Sequence, residues 1–132
     1  MEKEVIITQI VNKFMMFQIA VSDMPKAKEF YADKLGLKVA SDYRQDDNNW
    51  WVALTLPEGG VTITLTTHHA HMKLGTMTLY FATSNITAAN KELSNRGVKV
   101  SEVKDDLHGP GSGVKWFNFK DPDGNLIHIE QA

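Results

Sequence analysis

The chain has 132 residues, 42% hydrophobic and 23% charged, with a formal net charge of −2. That suffices for one domain but not for two independent cores, and it lacks the basic face that a nucleic-acid binder needs. Disulfides, thiolate metal sites and cysteine nucleophiles are excluded because there is no cysteine. No stretch approaches the ~20 apolar residues of a membrane span, and the opening Met-Glu-Lys-Glu is not a signal peptide, so a cytoplasmic protein is expected.

Val5 to Val11, rich in Val, Ile and Thr, predicts a short strand within an N-terminal arm over 1–14. Met15 to Val21 follows as a strand with two faces, Phe17, Ile19 and Val21 alternating with Gln18 and Ala20. Ser22 or Asp23 caps a helix over Met24–Leu35, with Pro25 in its first turn and Gly36 as its stop. Strands are then predicted over Leu37–Ser41, Trp50–Leu56 and Val61–Thr67, separated by turns at Asp46–Asn49 and Pro57–Gly60.

The order repeats. Thr76–Ala82 reads as a strand, Ser84 or Asn85 caps a helix over Ile86–Arg96, and Gly97 ends it. Val98–Val103, Val114–Lys120 and Leu126–Glu130 read as strands; the last two flank the tight turn Asp121-Pro122-Asp123-Gly124, whose Asp-Gly pair suits the positive φ of a hairpin. Between them Lys104–Gly113 is a glycine-rich loop without the Gly-Lys-Ser/Thr ending of a phosphate loop, readable as a flap or as plain surface. Gly36-Leu37-Lys38-Val39 corresponds to Gly97-Val98-Lys99-Val100, and an offset of 62 relates Asp23 to Asn85 and Gln18 to Tyr80. The expected organisation is one domain over 1–132, with β-α-β-β-β modules at 15–73 and 74–132.

Two motifs carry a resemblance. Phe30-Tyr31 followed by Leu35-Gly36-Leu37, and Asp121-Pro122-Asp123-Gly124-Asn125, resemble the helix end and the C-terminal hairpin of the glyoxalase/bleomycin-resistance/extradiol dioxygenase (vicinal oxygen chelate) superfamily. The resemblance runs from Met15 onward. It implies an α+β fold of two βαβββ modules, curled mixed sheets with helices outside, the two sheets facing each other or a partner chain's sheets to form a cup that holds the functional site. It also implies a homodimer that completes its cups across a two-fold axis, and an exposed apolar edge such as Val5–Val11 calls for pairing or cover. Members range from metal-dependent lyases and dioxygenases to metal-free drug-binding proteins, so the fold does not choose the activity.

Carried over residue by residue, the superfamily's metal-ligand positions fall on Met16, Thr64, Thr78 and His128. Only His128 is a good ligand for a catalytic divalent metal, and Glu130 on the same face adds one more donor at most. No resident metal or other cofactor is therefore expected. His68-His69-Ala70-His71 reads as a solvated connection. The cup lining expected from alternation is Gln18, Thr64, Thr78, Tyr80, Trp116, Asn118 and His128, with one of the adjacent Trp50 and Trp51. Aromatic walls among uncharged hydrogen-bonding groups suit a planar or aromatic ligand. The expectation is a metal-free binding protein for a small molecule, neither nucleic acid nor membrane being a partner. The alternative is a lyase, isomerase or dioxygenase-like enzyme with an atypical site at His128 and Glu130, either with a divalent metal or as an acid/base pair.

Overall fold

The computed structural model describes residues 4, 8–68 and 71–132. Its strands are β1 (Met16–Ala20), β2 (Lys38–Asp46), β3 (Asn49–Thr55), β4 (Thr62–Thr66), β5 (Thr78–Thr83), β6 (Trp116–Lys120) and β7 (Leu126–Gln131). One sheet has the order β1-β4-β3-β2 and the other β5-β7-β6. In each, the first strand of the half runs parallel to the last, and the last pairs antiparallel with its predecessor. The registers correspond as well: Met16 and Gln18 oppose Thr62 and Thr64, as Thr78 and Tyr80 oppose Leu126 and His128. Trp51 opposes Thr66 as Trp116 opposes Glu130.

The first helix begins as expected. Asp23 accepts a hydrogen bond from the Lys26 amide, and Pro25 occupies the first turn. The α-helical part, α1 (Met24–Lys28), then widens into a π-helical segment, Glu29–Lys34. The Leu35 amide donates to the Phe30 carbonyl five residues back at 2.9 Å. The extra residue in that turn accompanies the burial of the adjacent Phe30 and Tyr31. In the second helix, α2 (Ile86–Asn95), Asn85 caps the Ala88 amide and the Gln131 side chain takes that of Ile86.

Three expected elements differ. Val5–Ile7 lie outside the described residues, and Thr8–Val11 are exposed and form no strand, having no strand partner among the described residues. β2 runs to Asp46 rather than stopping at Ser41, leaving Asp47 and Asn48 as the turn; the Asp46 carboxylate takes the Asn48 amide and the Asn49 side chain, which tightens it. Val98–Val103 is not a strand. Ser101 donates its amide to the Asn118 carbonyl, but its hydroxyl takes the Asn118 amide and its carbonyl takes the Asn90 side chain of α2. Side chains thus occupy groups that a ladder would use, and only a bridge between Lys104 and Trp116 remains.

The inward faces of both sheets share one core. Ile19, Val52, Leu54, Ile63 and Leu65 come from the first, and Leu79, Phe117, Phe119, Ile127 and Ile129 from the second, with Phe30, Tyr31 and Leu93 from the helices. Phe30 contacts Phe119 at 5.9 Å between centroids. The Asp-Pro-Asp-Gly-Asn hairpin locks the halves together. Buried Asp121 accepts from the Tyr31 hydroxyl at 2.5 Å, the Asn125 amide and side chain, and the Asp123 amide. Asp123 in turn receives the Ser22 hydroxyl and amide. Gly75, at φ +71°, lies so close to this hairpin that a Cβ would fall 2.2 Å from the Asp123 carbonyl oxygen.

Candidate functional site

Since both sheets turn one face to the shared core, strand alternation sends the remaining side chains outward in two different directions. The outer face of the first sheet carries Met16, Gln18, Thr64, Trp51 and Tyr43; that of the second carries Thr78, Tyr80, Asn118, Trp116, His128 and Glu130. The expected lining residues are present, but one chain does not gather them into one cup. Tyr80 remains 56% exposed. The expected convergence of Tyr80 and Trp116 with a β3 tryptophan therefore does not occur within the chain. Ring contacts among the described residues fall into separate clusters on the two sheets.

On the second sheet His128 is flanked by two rings. Tyr80 stacks on it at 4.6 Å with planes 8° apart, and Trp116 tilts over it at 5.4 Å. His128 Nδ1 is buried without a hydrogen-bond partner. Burial lowers the imidazole's pKa below its ordinary 6.5, because a charged ring would lose hydration with no acceptor at Nδ1. The neutral ring with its proton on Nε2 avoids an orphaned N–H donor. Trp116 is held from the far side: its Nε1 donates to Asp106 at 2.9 Å, and the Lys104 ammonium lies 5.7 Å from its ring. The loop after Lys104 is thus attached to the site. Leu107 is buried beneath it, and the Ser112 hydroxyl donates to the Leu107 carbonyl. His128 and Glu130 point to the same side of β7, with no hydrogen bond between them.

On the first sheet Trp51 lies between Tyr43, at 5.9 Å, and His68, at 6.2 Å. His68, just after β4, meets the end of this face. The Thr66 hydroxyl donates to the His68 carbonyl and accepts from the His68 amide, and Thr66 is fully buried. Thr64, also buried, directs its hydroxyl at the Met16 sulfur, 3.9 Å away.

Trp50 does not belong to the lining. It shares the face of Val52 and Leu54, packs against the core, and donates from Nε1 to Asp42 at 2.7 Å. The Arg44 guanidinium lies 4.4 Å from its ring. The Lys28 ammonium, bonded to Asp42, holds that carboxyl below the usual carboxylate range, helped by Trp50. Burial and these partners account for Trp50. The sequence reading missed Tyr43, His68, Lys104 and Asp106. Tyr43 was legible had β2 been continued past Ser41, since alternation then aligns it with Trp51; the loop residues carry no periodic signal.

Met16 and Thr64 sit on one sheet, Thr78 and His128 on the other, and a thioether and two hydroxyls are weak donors for Zn²⁺, Ni²⁺ or Fe²⁺. Among the described residues no three His, Asp or Glu side chains group as ligands. Of the four positions, His128 alone carries a side chain that is a good donor for a catalytic divalent metal.

A model of the Glyoxalase/Bleomycin resistance protein/Dioxygenase superfamily matches residues 11–129. The chain belongs to that superfamily. Among solved structures it resembles TnmS3, an antibiotic binding protein from Streptomyces sp. CB03234, with 27% identity and a TM-score of 0.80 over 93% of this chain and 98% of that one. A glyoxalase/bleomycin resistance protein from the same organism is 28% identical, with a TM-score of 0.73 over 90% of this chain and all of the other. The protein YetH of Bacillus subtilis (strain 168), itself uncharacterised, is 24% identical over 119 residues, 86% of this chain and 92% of its own. No helix among the described residues is long and apolar enough to cross a membrane.

Proposed function

We propose that the protein is a metal-free binding protein that sequesters a small planar or aromatic molecule, in cups completed by a second copy of the chain. The observation that carries this is a ring cluster on each outer face, Tyr43–Trp51–His68 on one and Tyr80–His128–Trp116 on the other, whose tryptophans stand at equivalent register. Each is an aromatic platform that leaves hydrogen-bonding groups such as Gln18 or Asn118 beside it. Two-fold association that sets one chain's first sheet against its partner's second places a ligand between two platforms, a geometry suited to stacking. The same association can shelter the apolar arm, where Ile10 and Val11 are 77% and 75% exposed. Likeness to an antibiotic binding protein supports the reading, as does the poor donor set at the metal positions. A chain without cysteine also suits a reducing cytoplasm.

The test is titration of untagged protein with bleomycin and a panel of planar aromatic compounds, read by tryptophan fluorescence, with elemental analysis of the same sample. Trp51→Ala and Trp116→Ala should each weaken binding of a hit roughly ten- to a hundred-fold. Unchanged affinity in both variants, or about one tightly held metal per chain lost in His128→Ala, overturns the reading. The latter result would favour an enzyme acting through His128 and Glu130.

A further inference from the structure

A concavity lies where the two halves meet along their helices, lined by none of the residues of the ring clusters. It encloses about 260 Å³ and is open on one side. Its floor is Leu35 and Leu37 after the π-helical segment, Leu56 after β3, Phe81 of β5 and Leu93 of α2. Leu37 and Leu93 belong to the core itself, and Leu35, Leu56 and Phe81 pack against it, so the groove is a place where the core reaches the surface without closing. Interiors otherwise pack to crystalline density, and an apolar hollow of this size holds an apolar guest better than it holds water.

The mouth is polar and bears fixed positive charge. Arg96, at the end of α2, spans the two halves. Its Nη1 donates to the carbonyls of Asp33 and Lys34 at 3.1 and 2.9 Å, and its Nε to Glu92 at 3.0 Å. The guanidinium is thereby held at the rim, with Nη2 making no hydrogen bond among the described residues. Lys34 lines the same rim and makes no ion pair among the described residues. Glu92 is matched by Arg96, so Lys34 is the charge left over. An apolar trough ending at an unmatched cation selects an amphiphile with an anionic head.

We propose that this groove is a binding site for a free medium-chain fatty carboxylate, its chain along Leu37, Leu56, Phe81 and Leu93 and its head at Lys34 and Arg96. The site is independent of the aromatic platforms and does not rest on their function. The test is calorimetric titration with decanoate and with decanol on the full chain, its dispersity followed by light scattering. Decanoate should bind at about one per chain and decanol several-fold more weakly. Ala89→Phe, which fills the groove from α2, should weaken decanoate tenfold or more. Lys34→Gln should erase the preference for the acid over the alcohol while circular dichroism stays that of the parent. Trp116→Ala should leave decanoate binding unchanged. The proposal fails if neither amphiphile binds below millimolar concentration, if Ala89→Phe and Lys34→Gln both bind decanoate like the parent, if Trp116→Ala abolishes binding, or if decanoate acts only by dissociating oligomers, which would make the groove a subunit contact.

Discussion

Replacing Tyr31 by Phe removes one oxygen from the junction between the halves and leaves the packing in place. Tyr31 is fully buried, and its ring meets Phe30 edge-on at 5.1 Å, so the Phe ring keeps that contact. What is lost is the 2.5 Å hydrogen bond to the buried Asp121 carboxylate. A bond to a charged acceptor contributes about 1.5–3 kcal/mol net. Asp121 keeps the Asn125 side chain at 2.7 Å on the same oxygen, so it is not orphaned, and the expected cost is about 2 kcal/mol. For a chain of this length that corresponds to a fall in Tm of roughly 6–10 °C. Burial, with Asp121 adding to it, pushes the Tyr31 hydroxyl far above its ordinary pKa of 10.0. This contribution is therefore complete below pH 10 and is lost as the pH climbs above it, when the unfolded chain ionises and the folded one resists. Urea denaturation of parent, Tyr31→Phe, Asp121→Asn and the double variant measures the coupling. A cost below about 0.5 kcal/mol with no coupling would refute the assignment of Asp121 as the clamp between halves.

Gly75→Ala should destabilise the fold by more than about 2 kcal/mol, because a Cβ 2.2 Å from a backbone carbonyl must displace the hairpin or the connection; parental thermal unfolding would contradict that. His128 has a pKa below 6.5 through burial, so the unfolded chain takes up a proton that the folded one resists. The stability it contributes is present above pH 6.5 and declines as the pH falls below it, and His128→Gln should flatten that decline in denaturation series.

The strands and caps were legible because each rests on a local rule. Phe17 and Ile19 of β1 and Val21 just after it alternate with Gln18 and Ala20 and do face the core, and Asp23 and Asn85 do cap their helices. The Val98–Val103 stretch failed for a reason no periodicity reveals: Ser101 and Asn90, ordinary surface types, take over ladder positions with their side chains. Gly75 carried no signal, since the hairpin it touches lies far along the chain. The adjacent tryptophans were separable only in part. Alternation required opposite faces, and packing against the core beside Val52 and Leu54 shows that Trp50 is the one turned inward. The lining residues were identifiable one by one; that they divide between the outer faces of two sheets depends on how the halves pack around the shared core, which local rules do not encode.

That divergence supplies the sharpest test of the cup reading. If Trp51 of one chain and Trp116 of its partner meet on one ligand, Trp51→Ala and Trp116→Ala chains are each defective in every cup of their own homodimers. Unfolding the two variants together and refolding them produces mixed dimers. In a mixed dimer one cup receives Trp51 from the Trp116→Ala chain and Trp116 from the Trp51→Ala chain, and is intact; the other lacks both rings. Random pairing then leaves about a quarter of all cups with parental affinity. A titration of the mixture should accordingly resolve a tight fraction of that size, absent from either variant refolded alone. Sites built within single chains cannot yield it, because each chain lacks one ring wherever it goes. A mixture that binds as the simple average of its components, or a parent that sediments as a monomer at micromolar concentration, would leave the two platforms as separate surfaces and end the shared-cup account.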